Sequence, residues 1–160
     1  MLKVTLIHVG NLKESYYKEA VEEYTKRLSA FCKYNSVEIK ESLLKENPSQ
    51  SAIDAALEKE ADSILAQIPK KSYTIALCVE GKALSSEELS QITEKVAVSG
   101  YDTLVFIIGS SYGLSARVKA FADFRLSFSK MTFPHRLMRV ILTEQIYRAF
   151  SISAGKQYHK

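Results

Sequence analysis

Short apolar runs alternate with longer stretches of helical period along the whole chain, and this alternation limits what the chain can become. Val4 to Val9, Val37 to Ile39, Tyr73 to Val79, Thr103 to Ile108 and Phe124 to Phe128 read as strands, being short, apolar and rich in branched or aromatic residues. Between them, Glu14 to Phe31 carries Tyr17, Val21, Tyr24 and Leu28 at steps of three and four, and Ser51 to Ile68 is stopped by Pro69. A third helix is capped by Ser85 or Ser86, with Glu87 and Glu88 in its first turn, where the helix dipole favours acids, and it ends before Gly100. Ser115 to Ala122 is a short fourth helix. A fifth opens at Thr132-Phe-Pro134 and runs to about Phe150, with Pro134 suited to its first turn. Strands and helices in strict alternation imply an α/β fold, a mostly parallel sheet with helices on both faces. The 160 residues suit one domain spanning 1–160. Residues 40–52, polar and interrupted by Asn47-Pro48, are the expected mobile loop.

In open parallel sheets, ligands bind beyond the carboxyl ends of the strands. Three segments stand there: Val79 to Lys82, Gly109 to Gly113, and Ser127 to Phe133. Glycine at such a place lets backbone approach a ligand or turn tightly, and each glycine taken alone implies no more than a tight turn. Gly109-Ser-Ser-Tyr-Gly113 matches neither GxGxxG nor GxxxxGK[ST], so a nucleotide phosphate cradle is not supported. The same five residues formally match a nucleophile elbow centred on Ser111, with Asp123 and then His135 or His159 downstream. That pattern is common, and the chain is short for a hydrolase of that type.

Charge separates along the chain. From Ala116 to Lys160 there are nine Lys or Arg and only two acids, Asp123 and Glu144, a net +7, whereas the first 115 residues carry −3. A basic C-terminal segment suits a polyanion such as nucleic acid, or is simply a solvated face. No apolar run approaches the roughly 18 residues of a membrane span, and the N-terminus reads as a first strand rather than a signal peptide. Cys32 and Cys78 lack metal-ligand spacing and read as free thiols of a cytoplasmic protein; no metal is expected.

His8 falls inside the first strand and reads as a packed or edge histidine. Tyr158-His159-Lys160 at the chain end would ordinarily fray, yet it sets an aromatic, a titratable group and a cation side by side, a contact set suited to RNA. In the final helix, His135 and Arg139 share one face, as do Glu144 and Arg148. Leu137, Met138, Val140, Ile141, Leu142 and Ile146 cover most of its circumference, which asks for burial on more than one side and suggests a second subunit.

These segments also carry a resemblance. Leu126-Ser-Phe-Ser-Lys-Met-Thr-Phe-Pro-His135, then Arg139-Val-Ile-Leu and Glu144-Gln-Ile-Tyr-Arg-Ala-Phe150, ending in Tyr158-His159-Lys160, closely resemble the ribosomal RNA large-subunit methyltransferase H family of the SPOUT superfamily. The N-terminal Val9-Gly-Asn-Leu-Lys-Glu14 and the Phe106-Ile-Ile-Gly-Ser-Ser-Tyr-Gly-Leu114 segment match as well, so the likeness runs from residue 1 to 160. It implies an α/β fold whose C-terminal part forms a trefoil knot, and a homodimer that uses S-adenosylmethionine to methylate N3 of a pseudouridine in large-subunit rRNA on the assembled ribosome. It places the cofactor against Leu77, Gly109 and the run Phe128, Ser129, Lys130, Met131, Thr132 and Phe133. For the chemistry it points to Arg139 and His159, and for RNA contact to His135, Arg136, Tyr158 and Lys160, in part across the dimer.

One position departs from that family, which usually has two consecutive glycines where this chain has Gly109-Ser110. If position 110 needs positive φ, serine is strained there by about 1–3 kcal/mol; at negative φ it is harmless. The departure leaves room for an alternative from another class, a non-catalytic RNA-binding or ribosome-assembly module on the same fold. A flavodoxin-like small-molecule binding domain is a third reading.

Overall fold

The computed structural model describes residues 1–160. Five strands, β1 (Lys3–Val9), β2 (Lys33–Ile39), β3 (Ser72–Ala83), β4 (Thr103–Ile108) and β5 (Phe124–Ser127), alternate with α1 (Ser15–Leu28), α2 (Gln50–Ala66), α3 (Ser86–Val98), α4 (Ala116–Phe121) and α5 (His135–Ser153). All pairings are parallel, in the order β2-β1-β4-β3-β5.

The period of two along each strand divides the core between the two faces of the sheet. In β4, Leu104, Phe106 and Ile108 point into one cluster with Val4, Leu6 and Ile75, covered by Leu28 of α1, Leu89 and Val96 of α3, and Leu142, Ile146 and Ala149 of α5. Val105 and Ile107 point the other way, into a cluster with Ile7, Val9 and Ala76, covered by Ala61 and Ile64 of α2 and Val118 of α4. β4 is buried along its whole length, which is why it is the most hydrophobic segment of the chain. No helix is long and apolar enough to cross a membrane.

Helix starts follow cap chemistry. Ser49, Ser85 and Ser115 each accept a backbone N–H of the first turn on the side-chain oxygen. Ser85, not Ser86, caps α3, and Glu88 completes a capping box. Pro134 stands just before α5 rather than inside its first turn, and α5 continues to Ser153.

Two strands exceed their sequence signals. β2 begins at Lys33 because its exposed edge positions are polar, so only Val37 to Ile39 reads as strand. β3 runs through Glu80-Gly81-Lys82, which reads as a turn. Leu126 of β5 pairs with both Leu77 and Lys82, so the intervening segment bulges out and β3 then resumes its pairing. Gly81 allows that crossing: a Cβ there would lie 2.8 Å from backbone atoms of Arg125 and Leu126.

Leu142 is fully buried beneath the sheet. Leu142→Ala is expected to cost about 2–5 kcal/mol of unfolding free energy, read from urea denaturation. A loss under about 1 kcal/mol would mean that α5 is not packed where this arrangement puts it.

Candidate functional site

The carboxyl ends of β3, β4 and β5 open into one cavity of about 590 Å³, within the size range of small-molecule sites. Residues 77–80 supply one wall and 108–114 a second. Most of 126–135, with Met138 and Lys119, closes the rest.

The second wall is a tight turn. The Gly113 N–H donates to the Ser110 carbonyl at 2.8 Å, and Gly113 takes φ +85°, the left-handed region. A Cβ on Gly109 would stand 2.2 Å from the Gly113 carbonyl oxygen, so position 109 must be glycine. Position 110 need not be, because only Asn47 and Lys71 among non-glycine residues have positive φ. Ser110 is therefore unstrained, which answers the question its presence raises.

Seven of the eight expected cofactor residues line this cavity: Leu77, Gly109, Phe128, Ser129, Met131, Thr132 and Phe133. Lys130 is exposed and does not. Inside the 128–133 loop, the Ser127 hydroxyl donates to the Ser129 carbonyl at 3.1 Å, and Ser129 Oγ accepts the Met131 N–H at 3.0 Å. Glu80 and Tyr112 line the cavity from two of the expected segments, whereas Cys78, Lys119 and Met138 line it from outside them. Lys119 and Glu80 pair with each other, and that contact holds the Glu80 carboxyl below its ordinary value. Burial, with Glu80 beside it, raises the Cys78 thiol, and burial pushes Cys32 up to about 12. Both cysteines are free, and neither is a ready thiolate.

Of the expected RNA contacts, His135 lines the cavity, and burial holds it below the ordinary histidine value. Arg136 donates to Glu14 Oε1 at 3.1 Å. Arg139 stands apart from the cavity, beside His8. The His8 Nδ1 lies 2.8 Å from the Gly10 carbonyl oxygen, which can only accept, so Nδ1 carries the proton. The Arg139 Nη1, 3.2 Å away, then faces an N–H and gains no acceptor. Burial, and secondarily Arg139, lowers His8 to about 4, so it is neutral at pH 7. Buried Nε atoms of both Arg136 and Arg139 lack partners. Arg139 takes part in no ion pair, and burial lowers its pKa.

The tail is held in place. Tyr158 donates to Glu144 Oε1 at 3.0 Å, and the Arg148 guanidinium sits 4.7 Å from the Tyr158 ring centroid. His159 Nε2 meets Glu87 at 2.7 Å and Nδ1 meets Arg148 at 3.2 Å. His159 and Tyr158 are thus outside the cavity of their own chain, as is the exposed Lys160. Asp123, the middle member of the nucleophile-elbow pattern, accepts the Thr74 N–H at 2.7 Å and fastens β5 to β3.

A sequence profile described as "Predicted SPOUT methyltransferase" matches residues 2–159. The chain belongs to the SPOUT methyltransferase family. Its SPOUT relatives include proteins named ribosomal RNA large subunit methyltransferase H. The one from Clostridioides difficile is 47% identical over 159 residues, 99% of this chain and 100% of the relative. The one from Streptococcus thermophilus is likewise 47% identical at the same coverage. A solved structure of a probable methylase family protein from Haemophilus influenzae shares the SPOUT chain's fold, with a TM-score of 0.52 at 12% identity, covering 99% of this chain and 70% of that one.

Proposed function

We propose that this chain is a ribosomal RNA methyltransferase, transferring a methyl group from S-adenosylmethionine to N3 of a pseudouridine in large-subunit rRNA of the cytoplasmic ribosome. The observation that carries this reading is the single cavity enclosed by the Gly109–Gly113 turn, Leu77 and the 128–133 loop, in a chain nearly half identical to proteins named for that reaction class.

The residues present fit the cofactor. Leu77, Phe128 and Phe133 offer apolar surface to an adenine, and the tight turn that glycine at 109 permits brings backbone polar groups to the cavity wall. S-adenosylmethionine supplies an electrophilic methyl on a sulfonium centre. The chain must align that methyl with its acceptor and deal with the imide proton of N3. Arg139 suits the second task. A half-buried guanidinium with an orphaned Nε and no ion pair is stabilised by an arriving anion, which an imide becomes as its proton passes to water. Arg136, with its own orphaned Nε three residues earlier on α5, suits a phosphate.

The same reading makes 1–160 one domain and the active species a homodimer without a metal. Val79, Tyr112, Met131 and Phe133 line the cavity yet expose apolar surface, which a second copy would cover. The partner would also bring His159 and Tyr158, which are remote from their own chain's cavity. The knot that the resemblance implies belongs to this reading too.

Calorimetric titration with S-adenosylmethionine, against NAD and ATP, tests the cofactor. Selective binding near one site per subunit is expected, as is transfer of a labelled methyl group to large-subunit rRNA. A folded protein that binds none would overturn the reading in favour of a non-catalytic RNA-binding module.

A further inference from the structure

Glu60 is the only Asp or Glu among the buried residues of the chain, 3% exposed. Its Oε2 accepts the Ser42 N–H at 2.9 Å, and its Oε1 has no partner. No ion pair includes it. Buried carboxylates are ordinarily satisfied on both oxygens, so an orphan needs an explanation.

The carboxyl borders a second, smaller cavity of about 170 Å³, between α2 and the 41–44 segment. Ser110 and Tyr112 line this cavity as well as the larger one, so the Gly109–Gly113 turn is the partition between them. Ser110 Oγ accepts the Tyr112 N–H at 3.3 Å and makes no other hydrogen bond, which leaves its own proton without an acceptor. Ser110 and Glu60 line this same small cavity, and burial raises the Glu60 carboxyl's pKa. An unmet acceptor and an unspent donor thus border one small cavity.

We infer that Glu60 is a positioning residue for the methyl-transfer site: its Oε1 accepts the Ser110 hydroxyl while its Oε2 holds the Ser42 N–H, bracing the Gly109–Gly113 turn from behind. The inference rests on the cofactor reading of the larger cavity. Glu60 does not line that cavity and acts through Ser110. The serine gives the turn an anchor to α2 that the glycine usual at this position in the resembled family does not provide.

A double-mutant cycle on Glu60→Leu, which removes both acceptors, and Ser110→Ala tests it, each variant read both by S-adenosylmethionine affinity and by thermal midpoint. Alanine suits position 110 because its φ is not positive. Each single change is expected to weaken cofactor affinity about five- to tenfold, and the double variant no more than the weaker single. A purely structural Glu60 would lower the midpoint without moving the affinity. Unaltered affinity in Glu60→Leu, or a double variant weakened by the product of the two singles, overturns the inference. If the wild-type protein binds no cofactor, the cofactor reading fails by itself. The midpoints then decide the pair: coupled shifts support the bond, and additive shifts refute it.

Discussion

Gly109→Ala is expected to abolish S-adenosylmethionine binding, raising Kd at least about a hundredfold, and to destabilise the protein by about 3 kcal/mol. The added carbon would stand 2.2 Å from the Gly113 carbonyl oxygen and 2.5 Å from its carbon, backbone atoms that cannot rotate away. The turn closed by the 2.8 Å bond from the Gly113 N–H to the Ser110 carbonyl must open, and with it one wall of the cavity. Gly113→Ala is the comparator. Its Cβ meets nothing within 4 Å, so only the left-handed φ of +85° opposes it, a cost of about 1–2 kcal/mol. Circular dichroism, urea unfolding and calorimetry on the two variants separate a clash from a backbone preference. Wild-type affinity in Gly109→Ala would show that the cofactor does not use this wall.

Arg139→Met is expected to lower methyl transfer to rRNA on the order of a hundredfold, while cofactor affinity stays within about threefold. Arg139 does not line the cofactor cavity, so its loss leaves that binding surface intact. The sign on stability runs the opposite way to the sign on activity. Partial burial disfavours the guanidinium charge, which Tyr34 and Glu38 offset only in part, and its Nε has no acceptor. Replacing it with an apolar chain of similar length removes a half-buried charge that has no ion pair, and should hold or raise the thermal midpoint. Single-turnover transfer with saturating cofactor is the measurement. Undiminished turnover would remove Arg139 from the chemistry, and a large fall in the midpoint would show that it serves the fold.

The alternation of strands and helices was readable because each strand buried on both faces is continuously apolar, as in β4, and each helix carries its stripe. The location of the cavity was readable for a related reason: a parallel sheet gathers its βα loops at one end. The extension of β3 was not, since Glu80-Gly81-Lys82 has the composition of a turn, and only the meeting with β5 makes it strand. Glu60 was equally hidden. It sits in Glu58-Lys59-Glu60, where local sequence suggests solvent, and its burial comes from the 41–44 segment folding over α2. The Arg148–Glu144 pair was legible from its spacing of four, but the docking of the tail onto it, through Tyr158 and His159, depends on chain geometry that no local pattern encodes.

The placement of α5 bears on how the chain comes off the ribosome that makes it. Leu142, Ile146 and Ala149 seal the same cluster as Val4 and Leu6 of the first strand. A nascent chain that has emerged only through β5 therefore still shows water part of that apolar face, because α1 and α3 alone do not complete its cover. Completion of that core waits on the emergence of α5, and a chain short of it carries exposed apolar surface of the kind that favours association.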